Sequence, residues 1–161
     1  MIRLSKLTDY AVVVMTAMMQ GEGGSHNATS LAERTGLPAP TVAKILKLLA
    51  RDGLMASHRG ATGGYRLARS PEAINVAQII AAIDGPIALT DCVEGSAGAC
   101  GVESLCPRRG NWDRVNRAVR GALESVSLAD MARPVFMDTP LPANSAAPAA
   151  PHSAPALPVA R

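Results

Sequence analysis

The residues best suited to chemistry in this chain are its three cysteines, Cys92, Cys100 and Cys106, which follow a C-x7-C-x5-C spacing. Glycines recur between them, and glycine adds no apolar surface while leaving the backbone free to wrap around a ligand. The segment is therefore unsuited to filling a core, whereas thiolates bind soft metals and iron-sulfur clusters well. We predict a metal or cluster site with three thiolate ligands, whose incomplete ligand set suits a labile sensor better than a structural support.

Length and composition limit the classes of protein that can hold such a site. A chain of 161 residues supports one domain plus an appendage. With one Trp and one Phe, it lacks the aromatic platforms on which single-stranded nucleic acids stack. Duplex DNA remains a possible partner, and the net charge of +3 fits either such a partner or an ordinary solvated surface.

The beginning of the chain superficially resembles a secretion signal, because Arg3 and Lys6 precede an apolar run over residues 11–19. Thr8 and Asp9 adjoin the run, no cleavage site follows it, and it is too short to span a bilayer. We therefore expect a cytoplasmic protein without a membrane partner. In a reducing compartment an odd number of cysteines is not a disulfide framework, which leaves metal binding, redox sensing or inert thiols.

Two amphipathic helices are predicted before residue 36. The first spans about residues 8–20, with Thr8 as its N-terminal cap. Ser30 and Glu33 fit a capping box at the start of a second, short helix, and Gly36 fits its end.

A third helix follows Pro38 and ends at Gly53. Its apolar residues recur at helical spacing and predict a buried stripe: Val42, Ile45, Leu46 and Leu49. The opposing face bears Thr41, Lys44 and Lys47. Two short helices joined by a tight turn form the helix-turn-helix arrangement that places a helix in the major groove, although plain packing of a helical hairpin would explain this pattern alone about as well.

A β-hairpin is predicted directly after the third helix, with strands at residues 54–58 and 65–68. Arg59 lies at its tip, while Arg66 and Arg69 lie along it, so the hairpin can reach phosphates or a narrow minor groove. A solvated hairpin with routine arginines is the alternative. The order of three helices and two strands predicts a mainly α fold with a small β-hairpin wing, a winged helix-turn-helix.

Beyond the wing, Asn75 caps a further helix, which completes a DNA-binding domain over residues 1–84. The cysteine loop occupies residues 85–108, and a dimerisation helix region occupies residues 109–133. Its apolar residues step by three and four and form a seam suited to a second copy of the helix: Trp112, Val115, Val119, Ala122 and Val126. The seam could instead fold back on its own domain. Residues 134–161 are rich in Ala and Pro and are predicted to be disordered.

Taken together, these motifs resemble the winged-helix iron-sulfur regulators of bacteria that include IscR and NsrR, sometimes called the Rrf-two family. The resemblance covers residues 1–131. Besides the cysteine loop, its marks are MIRLSKLTDYA at residues 1–11, LLARDGL at residues 48–54 and RGATGGYRL at residues 59–67.

The resemblance implies that Cys92, Cys100 and Cys106 bind an iron-sulfur cluster, with a two-iron two-sulfur form favoured over a four-iron four-sulfur form. IscR-like members have a histidine where this chain has Arg109, and a guanidinium that stays protonated cannot ligate iron. NsrR-like members use an aspartate of the partner subunit near the start of the first helix, and Asp9 stands at the matching place. Asp9 could instead merely favour its helix N-terminus. Acidic residues nearer to the cysteines are further alternatives: Glu94, Glu103 and Asp113.

The resemblance also implies a function. Residues 36–44 and 111–118 look most like the branch that regulates the SUF iron-sulfur assembly genes. We therefore expect a homodimeric repressor that binds a double-stranded DNA operator, with the cluster state controlling its affinity and with no small-molecule substrate. The expected DNA contacts are Lys6, Thr41, Ala43, Lys44, Lys47 and Arg59.

Other functions stay open. A repressor of the same family that responds to nitric oxide or redox state is one, and a winged-helix regulator with structural zinc is another, although the cysteine spacing lacks the close pair usual in zinc sites. An enzyme is not expected, because no catalytic triad, phosphate-binding glycine loop or carboxylate pair is evident in the sequence.

Overall fold

A computed structural model describes residues 3–20, 24–58, 60, 63–93 and 109–134 of the chain. Its elements are, in order, α1 (Lys6–Met19), α2 (Ala28–Thr35), α3 (Ala39–Arg51), β1 (Met55–His58), β2 (Gly64–Leu67), α4 (Val76–Asp84), α5 (Arg109–Glu124) and α6 (Leu128–Met131). One 3₁₀ turn, Pro71–Ala73, precedes α4. This order confirms the predicted fold class, which is mainly α with a small β-hairpin.

Helix α1 begins earlier than predicted, because Ser5 rather than Thr8 is its cap. The Ser5 side-chain Oγ accepts a hydrogen bond from the backbone N–H of Thr8 at 3.1 Å. Thr8 itself lies inside the helix and is only 1% exposed. Both residues have a short hydroxyl side chain that suits a cap. Helical periodicity alone does not distinguish between them.

Helix α2 also begins before its predicted cap. Asn27 is the capping residue, and its Oδ1 accepts from the backbone N–H of Ser30 at 2.8 Å. Gly36 ends the helix as predicted, in the left-handed conformation (φ 70°) that glycine adopts without a steric cost. The turn from Gly36 to Pro38 then leads directly into α3.

The predicted apolar stripe of α3 is confirmed as the centre of the core. Its four members are completely buried: Val42, Ile45, Leu46 and Leu49. They pack with apolar residues of α1, α2, β1 and α4, so the domain body closes around α3. On the other side of the helix, Lys44 and Lys47 stay exposed.

The wing consists of β1 and β2, paired antiparallel with Met55 opposite Leu67 and His58 opposite Gly64. The far edge of β2 pairs with the segment ahead of α2, since His26 and Tyr65 exchange two backbone hydrogen bonds of 2.9 and 2.8 Å. A Cβ atom on Gly64 would lie 2.7 Å from the His26 carbonyl oxygen. Glycine is therefore required where the two segments cross, and the base of the wing is fixed to the domain body.

The segment between α5 and α6 returns to the start of α4. The backbone N–H of Val76 donates to the Val126 carbonyl at 2.9 Å, and the N–H of Leu128 donates to the Ile74 carbonyl at 2.7 Å. Ile74 and Leu128 are fully buried in the core. The C-terminal end of α5 is therefore fixed to the domain that contains α1 to α4.

Helix α5 itself keeps much of its apolar surface exposed. Trp112 and Val115 are 43% and 44% exposed. The predicted seam was wrong at its end, because α5 stops at Glu124 and Val126 belongs to the backbone pairing with α4. The predicted disordered tail, apart from Pro134, lies outside the described residues.

The apolar run of residues 11–19 falls within α1 and contributes to the core through Ala11, Val14, Met15 and Met18. Among the helices of the described ranges, none is long and apolar enough to cross a membrane.

Candidate DNA interface and cysteine site

Four of the predicted DNA contacts lie on α3: Thr41, Ala43 and Lys44, which were expected to face bases, and Lys47, which was expected at a phosphate or groove edge. Thr41, Lys44 and Lys47 are spaced by three residues, so they lie along one side of the helix. Both lysines are exposed, while Thr41 and the neighbouring Ala43 are half-buried. Because the opposite side of α3 is buried, this side is the one that the helix can present to a partner.

The other predicted DNA contacts lie elsewhere. Lys6 is exposed in the first turn of α1, where it and Asp9 line a cavity of about 330 Å³. The cavity is also lined by residues from α4 and α6, including Val76 and Met131. The α3 lysines are not among the residues that line this cavity. Arg59, at the predicted tip of the wing, lies outside the described residues.

Two other arginines of the wing region have defined partners. The Arg66 Nε donates a hydrogen bond to His58 Nε2 at 2.8 Å, across the hairpin. Arg69 makes longer contacts, from Nη1 to the Ala73 carbonyl at 3.4 Å and from Nη2 to Gln78 Oε1 at 3.5 Å. Arg66 therefore lies with the wing, and Arg69 is directed toward the start of α4.

The cysteine site is described only at its first member. Cys92 is half-buried and has no disulfide partner among the described residues, and its Sγ lies 3.3 Å from the Thr90 hydroxyl. A hydroxyl at this distance can donate to a thiolate, so Cys92 fits a role as a metal or cluster ligand. Cys100 and Cys106 lie outside the described residues, and their predicted role stays a prediction.

Asn116 of α5 holds the segment that leads to Cys92. Its Oδ1 accepts from the backbone N–H of Leu89 at 3.1 Å, and its Nδ2 donates to the Ile87 carbonyl at 3.0 Å. Asn116 is only 7% exposed. A buried amide with both ends satisfied stabilises one local geometry, because losing either bond leaves a polar group unpaired. The approach to Cys92 is therefore attached to α5.

Asp84 attaches the beginning of the same segment to α1. Its carboxylate accepts from the Ser5 and Thr8 hydroxyls, each at 2.7 Å. Asp84 is the last residue of α4, and Gly85 follows with a φ of 94°. The connection between the DNA-binding domain and the cysteine loop is thus fixed to α1 at one end and to α5 at the other.

Sequence reasoning missed the roles of Asn116 and Asp84. Their partners are 27 to 79 residues away in the chain, and neither residue belongs to an apolar stripe or a local cap. The one signal in the sequence was that Asn116 interrupts the polar and apolar pattern of α5 close to the apolar Val115 and Val119.

Comparison with protein families gives one match along almost the whole described chain. The family described as Rrf2, iron-dependent transcriptional regulator, matches residues 4–134. Among curated relatives, an HTH-type transcriptional regulator of Mycobacterium tuberculosis is 34% identical over 132 residues, which are 81% of each chain. The HTH-type transcriptional regulator CymR of Bacillus subtilis is 30% identical over 131 residues, 81% of this chain and 89% of the relative.

Solved structures similar to this chain include regulators of the same kind as the relatives found by sequence. The structure of CymR, described as the global cysteine regulator of B. subtilis, is 31% identical with a TM-score of 0.61, and the match covers 82% of this chain and 97% of that one. The structure of T. potens IscR is 33% identical with a TM-score of 0.57, over 81% of this chain and 85% of that one. The relatives named as regulators confirm the prediction that the chain is not an enzyme.

Proposed function

Because the chain belongs to the Rrf2 family of transcriptional regulators, we propose that it is a homodimeric repressor whose affinity for a double-stranded DNA operator is set by an iron-sulfur cluster on residues 92–106. The observation that carries the DNA-binding part is the exposed side of α3. Thr41, Lys44 and Lys47 lie along it, and the buried opposite side makes the helix a rigid reader of the major groove.

The exposed and the half-buried residues on this side of α3 suit different parts of the DNA. Lys44 and Lys47 are exposed cations, suited to phosphates or to the acceptor edges of guanine. The half-buried Thr41 and Ala43 present little more than a hydroxyl and methyl groups, which suit close contact with a base edge such as a thymine methyl. We place Lys6 and Arg59 at phosphates or groove edges farther from the centre of α3.

Three observations support the cluster. The matching family is described as iron-dependent, and T. potens IscR is similar in sequence and in structure. Cys92 is half-buried beside a hydroxyl that can donate to its thiolate. When bound through Cys92, Cys100 and Cys106, a cluster would supply a labile, redox-sensitive centre. We place it in the two-iron two-sulfur class, with the four-iron form as the alternative.

The structure offers a route from the cysteine segment to the DNA-binding domain. Asn116 fixes the approach to Cys92 against α5, and Asp84 fixes the same connection to the start of α1. A ligand bound through residues 92–106 would therefore change the constraint between α5 and α1. A differential affinity of a few kcal/mol, as in typical allosteric coupling of about 1–3 kcal/mol, is enough to switch operator binding.

We propose a second copy of this chain as the partner of α5. Trp112 and Val115 expose more than two-fifths of their surface, and they lie one helical turn apart on the same side. A twofold dimer through this surface would bring two α3 helices to a palindromic operator.

The dimer also gives Asp9 a role as the fourth ligand. Asp9 is exposed, it lines an open cavity, and its position near the start of α1 matches the NsrR-like pattern. In the dimer we assign it to the cluster of the partner subunit. We assign the target genes to iron-sulfur assembly of the SUF type, on the resemblance of residues 36–44 and 111–118.

A second candidate function is regulation of cysteine metabolism without a cluster. It is favoured by the similarity to CymR, which is 31% identical in structure-based comparison and is described as a cysteine regulator. In that case the cysteines of this chain would serve as thiols. Structural zinc is a further alternative, and so is a nitric-oxide-responsive or redox-responsive cluster.

Anaerobic purification followed by visible absorption and by iron, sulfide and zinc analysis tests these proposals. We expect a brown protein with equal iron and sulfide, whose colour is lost in Cys92→Ala, Cys100→Ala and Cys106→Ala. Asp9→Ala should retain iron but release it faster in air. Colourless protein after attempted cluster reconstitution would overturn the cluster, and bound zinc would favour a structural metal. Full cluster content in Cys100→Ala would overturn the three-thiolate site.

A further inference from the structure

We propose that His58 is a positioning residue for DNA binding, because its imidazole orients the guanidinium of Arg66 toward a phosphate of the duplex. The proposal rests on the proposed function only in that the chain binds duplex DNA. His58 was not among the expected DNA contacts, and Arg66 was expected only as one of the arginines through which the hairpin can reach phosphates.

The strand register brings the two side chains together. His58 pairs with Gly64 and Ala56 pairs with Arg66, so His58 and Arg66 are diagonal neighbours on one face of the hairpin. The other face carries Met55, Tyr65 and Leu67, which pack against the core. Both His58 and Arg66 are exposed.

The hydrogen bond uses the nitrogen of Arg66 that phosphate recognition can spare. Nε donates to His58 Nε2 at 2.8 Å. Within the described part of the chain, Nη1 and Nη2 have no partner, so their four N–H groups remain for a ligand. A guanidinium fork held in one orientation suits bidentate contact with phosphate oxygens, and it has already lost the rotamer freedom that binding would otherwise cost.

The chemistry of the pair defines the state of His58. Arg66 is always a donor, so the imidazole must accept through Nε2 and carry its proton on Nδ1. A glutamine at position 58 could also accept through its side-chain oxygen, whereas an alanine could not. Substitution at His58 should therefore act on DNA binding through Arg66 and not through a direct charge.

Arg69 provides a matched control within the same region. It carries the same charge three residues further along, but its terminal nitrogens face the Ala73 carbonyl and the side chain of Gln78. The hydrogen bond of His58 is made with Arg66 and not with Arg69. The base of the wing is fixed by the His26–Tyr65 pairing, so neither arginine is needed to hold the hairpin in place.

A double-mutant cycle tests the proposal. The probe is a fluorescent mixed-sequence duplex of about 30 base pairs, because a phosphate contact does not depend on base sequence. Fluorescence anisotropy at about pH 8 would be measured over a range of salt concentrations. The variants are His58→Ala, His58→Gln, Arg66→Ala, Arg69→Ala and the double variants that combine His58→Ala with each arginine change.

We expect Arg66→Ala to weaken binding. The plot of log affinity against log salt concentration should become shallower, with a slope less negative by about 0.9, the value for one lost phosphate contact. His58→Ala should weaken binding by about threefold to tenfold, the equivalent of one hydrogen bond. It should have no further effect in Arg66→Ala, yet act fully in Arg69→Ala. His58→Gln should restore most of the affinity, and thermal unfolding midpoints should not change.

Equal effects of His58→Ala in the presence and absence of Arg66 would overturn the proposal, as would normal affinity in His58→Ala. These outcomes differ from failure of the proposed function, in which the wild-type protein would bind neither the mixed-sequence duplex nor a duplex selected by the protein from a random pool.

Discussion

Helices α3 and α5 carry apolar residues at the same helical spacing, but their surroundings differ. Val42, Ile45 and Leu49 of α3 are completely buried within one chain. Trp112 and Val115 of α5 are 43% and 44% exposed. The same sequence pattern therefore has two outcomes. The apolar stripe of α3 is covered within a single chain, whereas the apolar side of α5 stays exposed and is the surface that we propose a second copy covers.

The largest effect should come from the core behind the recognition helix. Ile45→Ala removes a fully buried side chain, and such a cavity costs about 2–5 kcal/mol of unfolding free energy. Lys47→Ala, on the exposed side of the same helix, should change it by less than about 0.5 kcal/mol. Urea unfolding followed by circular dichroism checks both, and equal losses would contradict the distinction between the two sides of α3.

The exposed side of α5 should control association and not folding. Val115→Asp places a charge in the proposed interface, at a cost of about 2 kcal/mol per subunit and therefore a rise of about a thousandfold in the dimer dissociation constant. Arg117→Ser, an exposed change on the same helix with the same change in net charge, should leave the dimer intact. Sedimentation equilibrium measures both constants. A Val115→Asp protein that stays dimeric would place the interface elsewhere.

A smaller effect on stability is expected where Asn116 joins α5 to the segment that leads to Cys92. Asn116→Ala removes two hydrogen bonds and leaves the Ile87 carbonyl and the Leu89 N–H unpaired, which costs about 1–3 kcal/mol. In a Cys100→Ala/Cys106→Ala background, where Cys92 is the remaining thiol, the labelling rate of Cys92 by a thiol reagent should rise by about tenfold or more.

Asn111→Ala is the matched control, because Asn111 is an exposed asparagine of the same helix. It should leave the Cys92 labelling rate unchanged. Equal labelling rates in the two asparagine variants would show that Asn116 does not hold the approach to Cys92.

The smallest effect concerns the point where α5 is anchored to the domain. Hydrogen bonds from the side chain and then the backbone of Ser127 lower the pKa of Asp130 below its usual 3.8. A carboxyl group with a lowered pKa in the folded state stabilises the fold above its unfolded pKa, and this contribution is lost as the pH falls through the folded value.

The unfolding temperature of Ser127→Ala should therefore lie below that of the wild type at pH 7, and the difference should shrink below pH 3.8. Differential scanning calorimetry across this range measures it. A difference that stays constant down to low pH would show that the carboxylate of Asp130 does not contribute.

The periodic parts of the fold could be read from the sequence. The stripe of α3, the cap at Asn75 and the hairpin were all predicted, because each leaves a local pattern of apolar spacing or turn residues. Two caps were placed too late, at Thr8 and Ser30. Short polar residues that can cap occur at neighbouring positions, and local chemistry does not choose among them.

The contacts that join distant segments could not be read in this way. Asp84 with Ser5, Asn116 with Leu89, and Val126 with Val76 are polar or backbone contacts between residues far apart in the chain. They follow no period, and the side chain of Val126 suggested a helix seam that ends two residues before it. The predicted roles of Cys100, Cys106 and Arg59 remain predictions, since these residues lie outside the described ranges.

The most direct test of the central claim is anaerobic titration of one selected operator duplex with the same protein before and after removal of its cluster. We predict dissociation constants that differ by about tenfold or more, which corresponds to about 1.4 kcal/mol of coupling. Cys92→Ala should bind with the cluster-free constant throughout. Equal constants for wild-type protein with and without an intact cluster would contradict control of DNA binding by the cysteine site.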